Sequence, residues 1–284
     1  MAKTRDIKRR IRSIRSTMQV TRAMKMVSAA KLRRSQERIV QARPYARRML
    51  EVLRSLASRA NPDAHPLLAV RPQERIAVVI VTADRGLCGS FNTNVYKKAA
   101  AFLEELSASQ ASLYFVGRKG RDHFRRDRRP KKREWTDVYR TLGFTTAAEI
   151  AGDLMAEYVA GNTDAVYVVY NEFKSVIQQH PVVERLLPIE RLDLAPGEVA
   201  EDYIYEPEAA ALFDRVLPRH VEVQVYRSLL ESVAAENAAR MTAMESATTN
   251  AADLIESLTL YMNRVRQASI TTEIIEVVSG AEAL

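Results

Sequence analysis

The residues of this 284-residue chain that could do chemistry are few, and the densest group is "TADRGLCGSFN", residues 82–92. It follows the apolar run "RIAVVIVTA" and precedes a helical pattern. A loop between the carboxyl end of a strand and the start of a helix is where open α/β sheets bind phosphates. Gly86 and Gly89 are present, but neither G-x-G-x-x-G nor G-x-x-x-x-G-K-[ST] is, so the stretch reads as a tight turn with Asp84 and Arg85 on the surface. Cys88 would need a nearby base to act as a nucleophile; no His is close in sequence, and a packed thiol is expected. His65, His123, His180 and His220 lie in separate segments without metal-ligand spacing, so neither a metal nor a cofactor is expected. One cysteine makes no internal disulfide, which suits a reducing compartment.

The elements that must position this loop are short apolar runs separated by turn residues. Residues 75–83, 112–117 and 164–173 are rich in Val, Ile and Tyr and predict buried strands. Helical stretches alternate with them near 90–106, 119–126 and 147–159, which predicts a mostly parallel sheet with helices packed on it. Residues 176–189 suit an edge strand, given Pro181 and Pro188. The basic cluster "RKGRDHFRRDRRPKKR", residues 118–133, reads as a solvated helix and loop able to touch an acidic partner or anionic lipid. Segments 61–72 and 194–208 mark boundaries, giving an α/β head domain over 73–193 between two long flanking segments.

Those flanks carry a different period. From Ile7, alternating steps of four and three reach Ile11, Ile14, Met18, Thr21, Lys25, Ser28, Leu32, Ser35, Ile39, Ala42, Ala46, Met49, Leu53 and Leu56, mostly apolar. This heptad seam predicts one helix over 1–60 packed on another helix, a rod of roughly 80 Å. Pro44 should kink it or leave a local defect. Between Thr21 and Ser35, where Val20, Met24, Val27 and Ala30 lie one position off the seam, the stripe is expected to swing round. A second helix is predicted over 208–284, with Pro218 suited to its first turn. Its seam runs Leu230, Val233, Asn237, Met241, Met244, Thr248, Ala251, Ile255, Leu258, Met262, Val265 and Ser269.

Charge distinguishes the two helices. The formal net charge is +8, yet residues 1–60 hold 18 Lys and Arg against Asp6, Glu37 and Glu51. From Val221 onward four Arg face nine acids, so an antiparallel pairing of a basic with an acidic helix is expected. A basic stripe is also the footprint of a nucleic-acid binder. Residues 1–44 contain no Phe, Tyr or Trp on which bases could stack, and the seam already occupies one face. A basic coiled-coil scaffold or nucleic-acid binder stays the alternative to a mechanical part. No signal-peptide core and no run of roughly 20 apolar residues is seen, so a soluble or peripheral chain is expected.

At this point the residues resemble the gamma subunit family of the F-type ATP synthase, over the whole chain. The blocks are "IKRRIRSIRSTMQVTRAMKMVSAAKLRRSQ", "DRGLCGSFN", "YEP" at 205–207, "RMTAMESATTNA" and "NRVRQASITTEIIEVVSGAEAL". The resemblance implies a non-catalytic central shaft, one copy per complex, with its antiparallel coiled coil inside a hexamer of alpha and beta subunits. The α/β head would sit on the membrane c-subunit ring and bind the epsilon subunit, at the cytoplasmic face of a bacterial plasma membrane. Proton-driven rotation of the ring would drive ATP synthesis or hydrolysis on beta. The absence of the chloroplast form's cysteine pair implies a redox-insensitive bacterial version. For beta contact and coupling the resemblance implies Met24, Lys25, Arg33, Arg34, Arg240, Arg266, Gln267, Thr271 and Glu273. For an apolar bearing tip it implies Ile274, Ile275, Val277, Val278 and Leu284. For epsilon or the c ring it implies Gly86, Leu87, Cys88, Gly89, Ser90, Phe91, Asn92, Tyr205 and Glu206. Nucleic acid is not an implied partner.

Overall fold

The structure is a computed structural model that describes residues 2–57, 65–106, 110–140, 142–190 and 209–282. The chain divides into two compact units, one made of Met1–Ala29 with Arg240–Leu284 and the other of Ala30–Ala239.

The second unit holds a five-stranded sheet. Its elements are β1 (Ile76–Val81), α2 (Phe91–Glu105), β2 (Ala111–Val116), α3 (Arg118–His123), β3 (Lys131–Trp135), α4 (Phe144–Val159), β4 (Ala165–Phe173) and β5 (Gln179–Leu187), following α1 (Ala2–Ala57) and preceding α5 (Ala209–Glu282). The strand order is β3-β2-β1-β4-β5. The first four strands are parallel, and β5 runs antiparallel at the edge, where Pro181 fits.

Every residue of β1 is buried because both faces are covered, which is why it reads as an unbroken apolar run. Alternation sends Ala77, Val79 and Val81 to one face, where Met49 and Leu53 of α1, Ile150 and Leu154 of α4, and Leu217, Val221 and Leu229 of α5 pack. Ile76, Val78 and Ile80 point the other way, onto Val95, Ala99 and Leu103 of α2. The bottom of the sheet is closed by Asp164, whose carboxylate receives the Arg75 guanidinium at 2.8 Å and the Arg75 backbone N–H at 2.8 Å. Those hydrogen bonds hold the Asp164 carboxyl below the usual carboxylate range.

The first unit is a pair of antiparallel helical segments. Thr21 meets Thr248 while Lys25 meets Glu245, so position numbers rise on one segment as they fall on the other. On the α1 side Ile7, Ile11 and Ser28 are buried and Ile14, Met18, Thr21 and Lys25 half-buried; on the α5 side Met244 is buried and Met241, Thr248, Ala251, Ile255, Leu258, Met262 and Val265 half-buried. These are the positions of the four-and-three spacing.

Three expectations are corrected. The stripe on α1 does not swing: Val20 and Val27 are 56% exposed and Ala30 is exposed, Met24 alone of the four being half-buried, and the seam keeps Thr21, Lys25, Ser28 and Ser35. Helix geometry fixes the seam, and the polar residues there remain satisfied, the Thr21 hydroxyl on Thr248 and the Ser35 hydroxyl on the Lys31 carbonyl. α1 continues through Pro44, which is exposed and has no N–H to give the helix. Pro218 lies inside α5 rather than in its first turn. In residues 118–133 the expected helix is present as α3 with a 3-10 turn at Phe124–Arg126, but the segment ends in the start of β3 instead of in a loop. The expected linker 194–208 and residues 61–64 of the other lie outside the described residues, whereas 65–72 of the latter are described and carry a 3-10 turn at Pro66–Leu68 with Leu67 and Leu68 buried.

Candidate coupling surfaces and the filled switch point

Strand order reverses between β1 and β4, and a doubly wound sheet would take a ligand there, at the carboxyl ends of its strands. Here the chain fills that place with its own groups. Thr82 continues from β1 fully buried, its hydroxyl accepting the Gly120 N–H at 2.8 Å and pointing to the Val116 carbonyl at 3.2 Å. Gly117 holds φ +92, and a Cβ there would stand 2.0 Å from the Thr82 carbonyl oxygen. Asp84 is not a loose surface group. Its Oδ1 accepts the backbone N–H of Arg118 and of Asp137, both at 3.1 Å, so a carboxylate occupies the donors that open α3, where a phosphate would bind.

The loop 82–92 folds over this plug. Asn92 Oδ1 accepts the Ala83 N–H at 3.0 Å, its amide donates to Cys88 Sγ at 3.2 Å, and the buried Asn171 amide donates to the Phe91 carbonyl at 2.9 Å. Leu87 and Gly89 adopt left-handed φ of 63 and 55, which reverse the chain and turn Cys88 and Phe91 inward. Both pack on Ala83 and on Ala235 of α5, with Phe173 and Ala239 beside them. The run "AAENAAR" of α5 thus owes its small residues to close approach over the switch point, a signal visible in the sequence. Of the seven loop residues proposed for partner contact, Leu87, Gly89 and Ser90 are exposed, Gly86 and Asn92 half-buried, and Cys88 and Phe91 buried. Tyr205 and Glu206 lie outside the described residues.

On the paired helices, Lys25 Nζ stands 2.6 Å from Glu245 Oε1, with Met24 half-buried next to it. Arg240 is half-buried. Arg33 and Arg34 belong to the other unit and are exposed, Arg33 reaching Glu37 at 3.1 Å one turn on. Arg266, Gln267, Thr271 and Glu273 are exposed; the Thr271 hydroxyl donates to the Gln267 carbonyl at 3.0 Å, and Glu273 accepts from the Ser269 hydroxyl at 3.3 Å. Beyond Ser269 the burial pattern ends. Ile274 and Ile275 are each 57% exposed, Val277 73% and Val278 51%, while Leu284 lies outside the described residues.

Sequence reasoning also missed a half-buried polar bridge in the sheet unit. Arg227 of α5 pairs with Glu184 of β5, and the Tyr170 hydroxyl of β4 donates to the same carboxylate at 2.8 Å. Beside it a cavity of about 170 Å³ is lined by Leu50, Val168, Glu184, Leu186, His220 and Gln224 among others. Burial and the neighbouring Arg227 push the His220 imidazole down to about 4. No residue of this bridge stood out in sequence because charged residues at 27% of the chain are mostly solvated.

Comparison with known proteins shows the family of the chain. A family model described as ATP synthase matches residues 3–284. The ATP synthase gamma chain of Geobacter sp. (strain M21) is 51% identical over 286 residues, covering 100% of this chain and 99% of that one. This chain belongs to the ATP synthase gamma-chain family. The gamma chain of Anaeromyxobacter sp. (strain Fw109-5) is 50% identical over 289 residues, with 100% of each chain covered. Among solved structures, the central stalk and c-ring of Tetrahymena thermophila mitochondrial ATP synthase gives 28% identity and a TM-score of 0.62 over 80% of this chain and 99% of that one. The Euglena gracilis mitochondrial ATP synthase (OSCP/F1/c-ring, rotational state 3) shares the fold, with 20% identity and a TM-score of 0.71 over 99% and 94% of the two chains. As a gamma-chain family member the chain is a non-catalytic central-stalk subunit of the ATP synthase, a membrane-associated complex, and the nucleic-acid reading falls away. Among the described residues no helix is long and apolar enough to cross a membrane.

Proposed function

We propose that this chain is the rotating shaft that couples proton-driven turning of a c-subunit ring to ATP synthesis or hydrolysis on beta subunits. The observation that carries the reading is the end of α5, where Ile274, Ile275, Val277 and Val278 are all more than half exposed. A run of large aliphatics left uncovered among the described residues calls for another surface, and an apolar sleeve at the top of an alpha–beta hexamer supplies one. Exposed apolar groups without directional bonds suit a bearing, because hydrogen bonds would lock one angle.

Below that tip, Arg266, Gln267, Thr271 and Glu273, with Met24, Lys25, Arg33, Arg34 and Arg240, are the residues we assign to contact with beta. Such contacts do work only if each orientation binds one beta conformation better than another, since an indifferent contact shifts no equilibrium. The loop 82–92, through its exposed Leu87, Gly89 and Ser90 and with Tyr205 and Glu206, is assigned to the epsilon subunit or the c ring. Cys88 and Phe91 support that loop from within, with Gly86 and Asn92 at its margin. Assembly would be one copy per complex, at the cytoplasmic face of the plasma membrane.

Reconstitution tests the proposal. The chain alone should neither hydrolyse nor tightly bind ATP, and mixed with alpha and beta subunits it should enter a hexamer and restore ATPase. A chain that never enters the hexamer ends the rotor reading.

A further inference from the structure

The most concentrated charge of the sheet unit lies outside every surface assigned above. Residues 118–133 contain ten Lys and Arg against Asp122 and Asp127. Both acids are already engaged by arginines of the segment, Asp122 by Arg121 at 3.0 Å and Asp127 by Arg129 at 2.9 Å. Arg133 turns to Asp153 at 2.7 Å. Arg125, Arg126, Arg128 and Lys132 remain exposed and have no ion-pair partner among the described residues. Arg125 and Arg126 sit on the 3-10 turn, Arg128 on the link that follows it and Lys132 on β3, the terminal strand of the sheet, which among the described residues pairs only with β2 and has four of its five residues exposed.

A charged edge strand protects a sheet from pairing with another copy, and one or two lysines are enough for that. Four unpaired cations within eight residues exceed it and form a patch of positive potential. The surroundings say what such a patch can bind. Among the described residues no large hydrophobic side chain between Leu87 and Val159 is exposed. Protein interfaces take their affinity from buried apolar and aromatic anchors, and this face offers none. It offers charge alone, on flexible side chains, which is what a layer of mobile anionic headgroups requires.

We propose that the open β3 edge and the turn that leads into it, through Arg125, Arg126, Arg128 and Lys132, rest on the anionic lipid headgroups of the membrane that carries the complex. The inference rests on the central-stalk reading, which brings the chain to a membrane surface. Contact of this kind is delocalised and re-forms as the surface slides past, so it steadies a turning subunit without fixing its angle.

The test is flotation of the assembled catalytic sector with lipid vesicles, comparing phosphatidylcholine alone with phosphatidylcholine plus phosphatidylglycerol. The wild-type complex should float with the anionic vesicles only, and about 0.5 M salt should release it. R125Q/R126Q/R128Q/K132Q should lower that partitioning by more than about tenfold while leaving the ATPase rate unchanged. R125K/R126K/R128K should float as wild type does, because headgroups read charge whereas a fitted partner reads the guanidinium fork. Equal flotation of the quadruple variant, or no flotation of wild type, overturns the proposal. So does complete release by a duplex oligonucleotide at matched charge, which would assign the patch to nucleic acid. In each of those cases intact assembly and ATPase leave the rotor reading standing, whereas failure of the wild-type chain to assemble would strike that reading instead.

Discussion

Lys25 Nζ lies 2.6 Å from Glu245 Oε1 across the paired helices, and one turn away the Thr21 and Thr248 hydroxyls meet at 2.8 Å. At this level the apolar seam is replaced by polar groups that satisfy one another. Pairing a single charge and a single hydroxyl fixes register, the role for which polar residues at seam positions are best attested.

The first prediction concerns that pair. The Lys25 and Glu245 side chains are 38% and 57% exposed, so the ion pair is worth about 0 to 1 kcal/mol. Lys25→Gln should leave folding and assembly near wild type in a denaturant titration. Met24→Lys, which adds an ammonium beside the pair, should assemble normally but lower the protons pumped per ATP hydrolysed. Unchanged pumping in that variant removes Met24 from the coupling surface.

How far the sequence disclosed this molecule depended on the range of the forces involved. The heptad positions from Ile7 to Leu53 match the buried positions of α1, polar ones included, because a helix of fixed pitch presents the same stripe whatever occupies it. Reading side chains instead of spacing produced the false swing toward Val20 and Val27. β1, β2 and β4 were legible as apolar runs because burial on two faces writes itself into composition. β3 was not, since "KKREW" is an exposed edge whose strand geometry comes from hydrogen bonds to β2 rather than from its own residues. In the loop 82–92 the lack of a phosphate motif was visible, but not its replacement: the Asp84 clamp joins residues 34 and 53 positions apart.

The second prediction tests the claim that α5 plugs the switch point. Ala235 is fully buried against Ala83, Cys88 and Phe91. Ala235→Leu adds three carbons where none fit and should cost about 1 to 3 kcal/mol. It should also speed labelling of the buried Cys88 thiol by a thiol reagent, as the loop is pushed outward. Ala252→Leu, on the exposed side of the same helix, should change stability by less than about 0.5 kcal/mol and leave the labelling rate alone.

Two glycines should respond with opposite signs. Gly117→Ala places a methyl 2.0 Å from the Thr82 carbonyl oxygen at a φ of +92, so it should destabilise by at least about 2 kcal/mol. Gly152 lies within α4, and a Cβ there meets nothing within 4 Å. Gly152→Ala should therefore stabilise by about 0.4 to 1 kcal/mol, through helix propensity and a less flexible unfolded chain. Midpoints of chemical denaturation at constant slope read both changes.

The last prediction is a pH dependence located at His220. This imidazole is 8% exposed beside the Arg227–Glu184 bridge, and burial together with Arg227 depresses it to about 4 from an ordinary value near 6.5. A depressed value means that the folded state refuses a proton which the unfolded chain accepts. Between pH 6.5 and 4 the unfolded chain therefore binds more protons, and stability falls as pH falls, by up to about 3 kcal/mol at the lower end. Above pH 6.5 the group is neutral in both states and contributes no slope. His220→Gln keeps a polar side chain without a titrating group, so its stability from pH 7.5 to 4.5 should fall less steeply than wild type. Parallel curves for the two proteins in thermal melts across that range would show that His220 is not the source.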